Sequence, residues 1–219
     1  MKKNFYIAEL NLPNTSAYSV HVFQMCNFLS KKKGNVKLLV PFVEKKLIKK
    51  VKKSYGVKYD FEIISVFNSN KKMSFFKRIH FAYKCKKIIG NPKNTDLTLS
   101  RSIIAAIILA FYNIKTFLEI HTELKGVTKY FFKLFELKNI SKNLKFIFIN
   151  KYLINFFKIK KSKFIILDDA VNTELFINKK TKIYKNTCAY FGSLTKGKGL
   201  EIILEIFNLN KKINFHIYG

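Results

Sequence analysis

The sequence predicts an α/β protein: a Rossmann-like, doubly wound parallel sheet, then the first strand–helix–strand unit of a second sheet. Three observations predict it. Short runs rich in β-branched and aromatic residues alternate with longer segments of helical spacing over most of the 219 residues. Several of those short runs are almost continuously apolar, as strands covered on both faces are. The chain is 48% hydrophobic with 23 Phe, enough to bury a core and too apolar for a disordered polymer.

In chain order the strand-like runs are NFYIAEL (4–10), VKLLVPF (36–42), FEIISVF (61–67), DLTLS (96–100), KTFLEI (115–120), KFIFI (145–149), KFIIL (163–167), TCAYF (187–191) and INFHIY (213–218). Helical patterns fall at 20–33, 44–53, 74–89, 102–112, 127–137, 151–157 and 200–208. The most apolar stretch, SIIAAIILAFY (102–112), is too short to cross a bilayer and reads as a buried helix. The opening MKKNFYIAEL has a short apolar run broken by Glu9, so it does not read as a secretory signal. Organisation breaks around 168–187, a stretch of turn residues and lysines without a long apolar run. This divides the chain into a first domain (1–170), a connection (171–186) and an incomplete second domain (187–219), because one strand–helix–strand unit cannot cover both faces of a sheet.

A formal charge of +29 points to anionic surroundings: a membrane surface, phosphorylated substrates or nucleic acid. Arginine occurs only at Arg78 and Arg101 among 42 basic residues. Base readers lean on bidentate arginine, so nucleic acid is the less favoured partner. The lysine excess with abundant Asn, Ile and Phe matches the composition of an AT-rich genome. Cys26, Cys85 and Cys188 are far apart, with no C-x-x-C pair. They read as reduced thiols in a cytosol, outside any zinc site or disulfide framework.

Ligands of such sheets lie at the carboxyl ends of strands, and five stretches stand there. In NLPNTSAYSVHVF (11–23) a polar loop opens a helix, with Ser16 or Ser19 as its cap and free N–H groups suited to an anion. In SRSIIAA (100–106) Arg101 precedes an apolar helix. A cation is electrostatically unhelpful at a helix N-terminus, which favours a ligand role. In FLEIHTELKG (117–126) a strand delivers Glu119 and His121 to its end, where a histidine can bond a hydroxyl or move a proton. In ILDDAVNTELF (166–176) the adjacent acids Asp168 and Asp169 point apart on extended backbone, so they are no acid–base pair, and no metal cluster is legible. In YFGSLTKGKG (190–199) Lys198 sits in a glycine-rich turn before a helix, a place suited to phosphate. Gly199 stands where a magnesium-binding phosphate loop needs a hydroxyl, which argues against an NTPase.

In this order the five stretches, with INFHIYG (213–219), resemble the family-4 glycosyltransferases of the GT-B fold. SVHVFQMCNFL resembles the family's first helix, SRS and EIHTE its arginine-serine and glutamate-histidine stretches, and DDAVNTELF its domain-junction signature, with Asn172 where Asp is usual. YFGSLTKGKGLEIILEIF resembles the start of its second domain. The resemblance implies a retaining transfer of a sugar from a nucleotide-sugar donor to a glycan or lipid-linked acceptor, without cofactor or protein-bound metal. It implies His121 at the donor sugar, Ser19, Arg101 and Glu119 as substrate-binding, and Gly192, Ser193 and Lys198 at the donor diphosphate. Ser193 replaces an arginine common in the family, and the first loop lacks the usual Gly-Gly pair. The resemblance further implies a cytoplasmic enzyme of cell-envelope polysaccharide synthesis, peripheral on an anionic inner membrane. It implies too that the second domain continues beyond Gly219 and that these residues alone are inactive. The alternative is a basic α/β module that binds nucleic acid or a phosphorylated partner without catalysis.

Overall fold

In a computed structural model, residues 2–14, 16–69, 72–124, 126–136, 142–157, 164–173, 185–210 and 212–219 are described. The chain divides into two compact units, Met1–Val171 and Asn172–Gly219. Most of the connection at 171–186, residues 174–184, lies outside the described residues.

The first unit contains strands β1 (Lys3–Ile7), β2 (Asn11–Leu12), β3 (Val36–Val40), β4 (Phe42–Val43), β5 (Glu62–Ser65), β6 (Thr95–Ser100), β7 (Thr116–Ile120), β8 (Leu144–Phe148) and β9 (Phe164–Ile166). Its helices are α1 (Ala17–Lys33), α2 (Ile48–Ser54), α3 (Phe75–Ile89), α4 (Ile103–Phe111), α5 (Gly126–Glu136) and α6 (Lys151–Phe157). Seven strands form one sheet in the order β5-β3-β1-β6-β7-β8-β9, every pair parallel. This is the Rossmann-like doubly wound sheet that the alternation predicts. The chain runs outward from β1 to β5, then crosses back to β6 on the other side of β1. That reversal opens a crevice at the carboxyl ends of β1 and β6.

Both faces of the sheet are covered, which explains the continuous apolar strands. Tyr6 and Ala8 pack with Leu38, Val40, Val22, Phe23 and Cys26 on the α1 face. Phe5, Ile7 and Leu39 pack with Phe81, Ala82, Cys85 and Ile104 on the other. Alternate residues of one strand thus serve opposite cores. Helix α4 is buried from Ile104 through Ala110, as the sequence predicts, and it packs against both α3 and α5. A buried side chain of this kind stabilises by about 1.5–3 kcal/mol.

Differences from the sequence expectations sit at element ends. Helix α1 starts at Ala17, earlier than residue 20, because the Ser16 hydroxyl accepts from the Ser19 N–H and caps it. The helix expected at 44–53 is a 3-10 turn at Lys45–Leu47 followed by α2, and Glu44 makes no side-chain cap bond there. The first strand ends at Ile7 instead of Leu10. The Ala8 N–H still bonds the Leu39 carbonyl at 3.1 Å and the Arg101 N–H the Ile7 carbonyl at 2.9 Å, at the reversal point. The small parallel pair β2–β4 was not expected.

The second unit holds β10 (Thr187–Phe191), α7 (Leu200–Leu209) and β11 (Asn214–Tyr218), with β10 and β11 parallel from Thr187↔Asn214 to Phe191↔Tyr218. Ile202, Leu204, Ile206 and Leu209 of α7 are exposed, since one such unit has too little surface to cover its own helix. The turn before α7 takes Gly197 and Gly199 through the left-handed region, each at φ +81°. A Cβ at Gly199 meets no atom within 4 Å, so the strain of Gly199→Ala is purely backbone. It is expected to destabilise this unit by about 1–2 kcal/mol, read as earlier hydrogen exchange of the β10 and β11 amides. Unchanged exchange would count against the turn geometry.

Candidate functional site

The carboxyl ends of β1, β6 and β7 and the first turns of α1 bring together residues far apart in sequence. Glu119, near the end of β7, faces the α1 side of the sheet. It is the one buried acid among the described residues, 6% exposed. Its Oε2 accepts from the Tyr6 hydroxyl at 2.6 Å and from His21 Nε2 at 3.3 Å. His121 Nε2 stands 3.6 Å from the same oxygen. Burial by itself pushes this carboxyl up, but hydrogen bonding from His121, His21 and Tyr6 outweighs it and holds the group down at about 2. Tyr6 moves the other way. Burial first, then the Glu119 charge, raises its hydroxyl well above the ordinary tyrosine value, so it stays a donor.

The two imidazoles meet edge to face, with centroids 4.8 Å apart. Their other nitrogens face Asp169 of the loop after β9: Nδ1 of His21 lies 3.8 Å, and Nδ1 of His121 3.7 Å, from Asp169 Oδ1. Asp169 is mostly exposed, at 62%. Glu119, His121 and Arg101 were legible as strand-end residues. His21, Tyr6 and Asp169 were not assigned a role. His21 lay within the quoted helix stretch, and its spacing from Ser19 places it in the first turns, facing the strand ends. Tyr6 reads as core until its hydroxyl is followed to Glu119.

A second group lines the reversal point. Glu9, just after β1, accepts from the Ser102 hydroxyl and pairs with Arg78 Nε at 3.1 Å. The guanidinium of Arg101 lies over the Tyr18 ring at 4.2 Å. Its Nη1 is buried without a hydrogen-bond partner. Both arginines of the chain therefore stand at the crevice, each with a buried nitrogen that makes no hydrogen bond, and that of Arg78 is already ion-paired with Glu9. Burial pushes the Tyr18 hydroxyl upward and outweighs the Arg101 charge, which pulls it down.

Ser19 is fully buried. Its hydroxyl donates toward the Ser16 and Asn14 carbonyls at 2.7 and 3.1 Å and accepts from the Tyr55 hydroxyl at 2.9 Å. These bonds shape the loop before α1, and the Ser16 cap supplies what an anion would there. In the second unit, the Gly192 N–H donates to the Tyr218 carbonyl at 3.0 Å, continuing the β10–β11 ladder. Gly192 serves by lacking a side chain, since a Cβ would stand 2.8 Å from the Tyr190 hydroxyl. Ser193 Oγ lies 3.3 Å from Thr195 Oγ1. Lys198 is exposed between the two left-handed glycines. Gly199, at the N-cap of α7, makes no side-chain cap bond, so the first N–H groups of this helix are left to solvent or a ligand. Among the described residues no helix is long and apolar enough to cross a membrane.

No family model matches the sequence, and no curated protein matches it. Solved structures do. A glycosyltransferase from Rickettsia africae ESF-5 superposes with a TM-score of 0.70 at 17% identity, over 99% of this chain and 60% of that one. Anabaena HepE in complex with UDP and glucose gives 0.58 at 9% identity, over 99% and 61%. A UDP-N-acetylglucosamine 2-epimerase assignment from Listeria monocytogenes gives 0.52 at 10%, over 99% and 63%. The chain thus spans less than two thirds of the length of each. At these identities the likeness is one of fold: this chain has the Rossmann-like architecture of glycosyltransferases and of a sugar-nucleotide epimerase.

Proposed function

We propose that the chain is part of a retaining glycosyltransferase of family 4, which moves a sugar from a nucleotide-sugar donor to a glycan or lipid-linked acceptor in cell-envelope polysaccharide synthesis. The observation that carries this reading is the Glu119 cluster beside the crevice, where one ionised, buried carboxylate orients two imidazoles. His121 bonds a hydroxyl of the donor sugar near the reacting carbon, and Glu119 holds its ring in place. Arg101, with its unused donor, takes an anionic or hydroxyl-rich part of the acceptor. Lys198 and the uncapped start of α7 neutralise the donor diphosphate as it leaves. The UDP and glucose bound by the Anabaena structure support a nucleotide-sugar donor.

The enzyme works in the cytoplasm, without a cofactor, against the inner face of the membrane. Phe76, Val127 and Tyr130 are exposed on α3 and α5, and Phe75 against Phe131 ties those helices together at 5.8 Å between ring centroids. Apolar side chains on a surface of this positive charge suit an anionic bilayer. The nucleic-acid alternative gains no specific support, since both arginines are drawn into the crevice.

The test is nucleotide release from a panel of nucleotide sugars, in the longest reading frame that contains these residues. His121→Ala is expected to lower turnover by about 10²-fold or more while circular dichroism stays unchanged. Absence of donor turnover in the wild type, or full turnover in the variant, defeats the proposal.

A further inference from the structure

Glu119 determines more than the position of His121. With the Nε2 atoms of both imidazoles directed at its carboxylate, each neutral ring carries its proton there and turns an Nδ1 lone pair the other way. What those lone pairs face is Asp169 Oδ1, at 3.8 and 3.7 Å. Two nitrogen acceptors and a carboxylate oxygen are therefore gathered with no donor among them. One ligand atom from each of the three residues lies within 4.8 Å of the others. Acceptors held this close repel one another, and a cation between them converts the repulsion into bonds.

We propose that His21, His121 and Asp169 bind a divalent transition metal of the zinc class. Two imidazoles and one carboxylate are the donor set that such ions prefer over magnesium or calcium, which take oxygen. Bonds of about 2.0–2.2 Å place tetrahedral ligand atoms about 3.4 Å apart, so each imidazole–carboxylate distance shortens by a few tenths of an ångström, and the two rings turn toward each other from a separation within 4.8 Å. The exposed Asp169 can supply that movement. Glu119 acts as the outer carboxylate that fixes the tautomer and direction of both rings, the arrangement that supports imidazole ligands at metal centres. Three protein ligands leave a position open for water or a substrate oxygen.

The consequence for transfer rests on the transferase reading; the binding of metal does not. His121 Nδ1 is open toward the same space in which a donor sugar would lie, so metal and sugar compete for it. Zinc is then expected to inhibit turnover.

The experiment is calorimetric titration of zinc into the chelator-stripped chain. One ion per chain is expected. His21→Ala and Asp169→Asn should each weaken binding at least tenfold, and Glu119→Gln about 10- to 100-fold. His80→Ala, whose ring rests on Phe67 away from this cluster, should bind as wild type. Asp169→Asn changes an exposed side chain and keeps its shape, so it remains a test even if a buried variant misfolds. No uptake by the wild type overturns the site, as does uptake indifferent to both His21→Ala and Asp169→Asn. Metal uptake here without nucleotide-sugar turnover in the longest reading frame that contains these residues would keep the site and sink the transferase reading.

Discussion

Glu119→Gln is expected to cost about 3 kcal/mol of folding free energy at pH 7 and to flatten the stability of the protein between pH 4.5 and pH 2. The carboxyl is held at about 2 in the folded protein against an ordinary 4.5, and each pH unit of such a difference corresponds to about 1.36 kcal/mol. The sign follows from the protons bound. Between those two values the unfolded chain carries a proton on Glu119 that the folded protein does not. Wild-type stability therefore rises with pH through this window. The contribution is complete above about pH 4.5 and is lost as pH falls through 2. Glutamine keeps the shape and the Tyr6 contact but has no charge to set against the imidazoles, and its amide N–H₂ adds a donor among donors. Denaturant unfolding of both proteins from pH 7 down to pH 2.5 measures this. Parallel curves for wild type and variant would show that the carboxylate is not held as the geometry requires.

Lys198→Ala is expected to reduce sugar transfer by about 10²- to 10³-fold, the loss that follows removal of one positioned group from a developing negative charge. The lysine is exposed and lies in a turn shaped by Gly197 and Gly199, so its removal should leave folding unaltered. In the proposed role, the uncapped N–H groups of α7 remain and keep part of the contact with a diphosphate. Lys198→Arg should retain more activity than alanine. Measured with donors of different leaving-group basicity, the alanine defect should grow as the leaving group worsens. A uniform defect in donor binding, with kcat unchanged, would move Lys198 from stabilising the leaving group to holding the ground state.

Much of the fold was legible because one physical rule covers both of its parts. A strand buried on two faces must be apolar at every position, and a helix lying on it must be apolar at helical spacing. Phe5, Tyr6 and Ile7 show the first, and Phe81, Ala82 and Cys85 on α3 the second. The buried α4 was legible from composition alone. Element ends were less so, because they depend on single hydrogen bonds: Ser16 rather than Ser19 caps α1, and the Arg101 N–H closes β1 at Ile7. The site was legible only in pieces. Glu119 near the end of β7 and His121 just after it are close in sequence, but His21 comes from α1 and Asp169 from the loop after the edge strand β9. No spacing rule joins residues that are 98 positions apart, as His21 and Glu119 are.

The sequence by itself determined the layer architecture, the buried helix and the glycine turn around Lys198, because each follows from local periodicity or backbone freedom. Tertiary structure alone decided that Tyr6, His21, His121 and Asp169 share a centre. The strand order places β6 between β1 and β7, and α1 packs on β1 and β3 on one face, from which His21 reaches Glu119 of β7. A carboxylate buried there must find donors or remain protonated, and the fold supplies them from a tyrosine and two histidines. Their arrangement turned a strand-end glutamate into the group that orients the site.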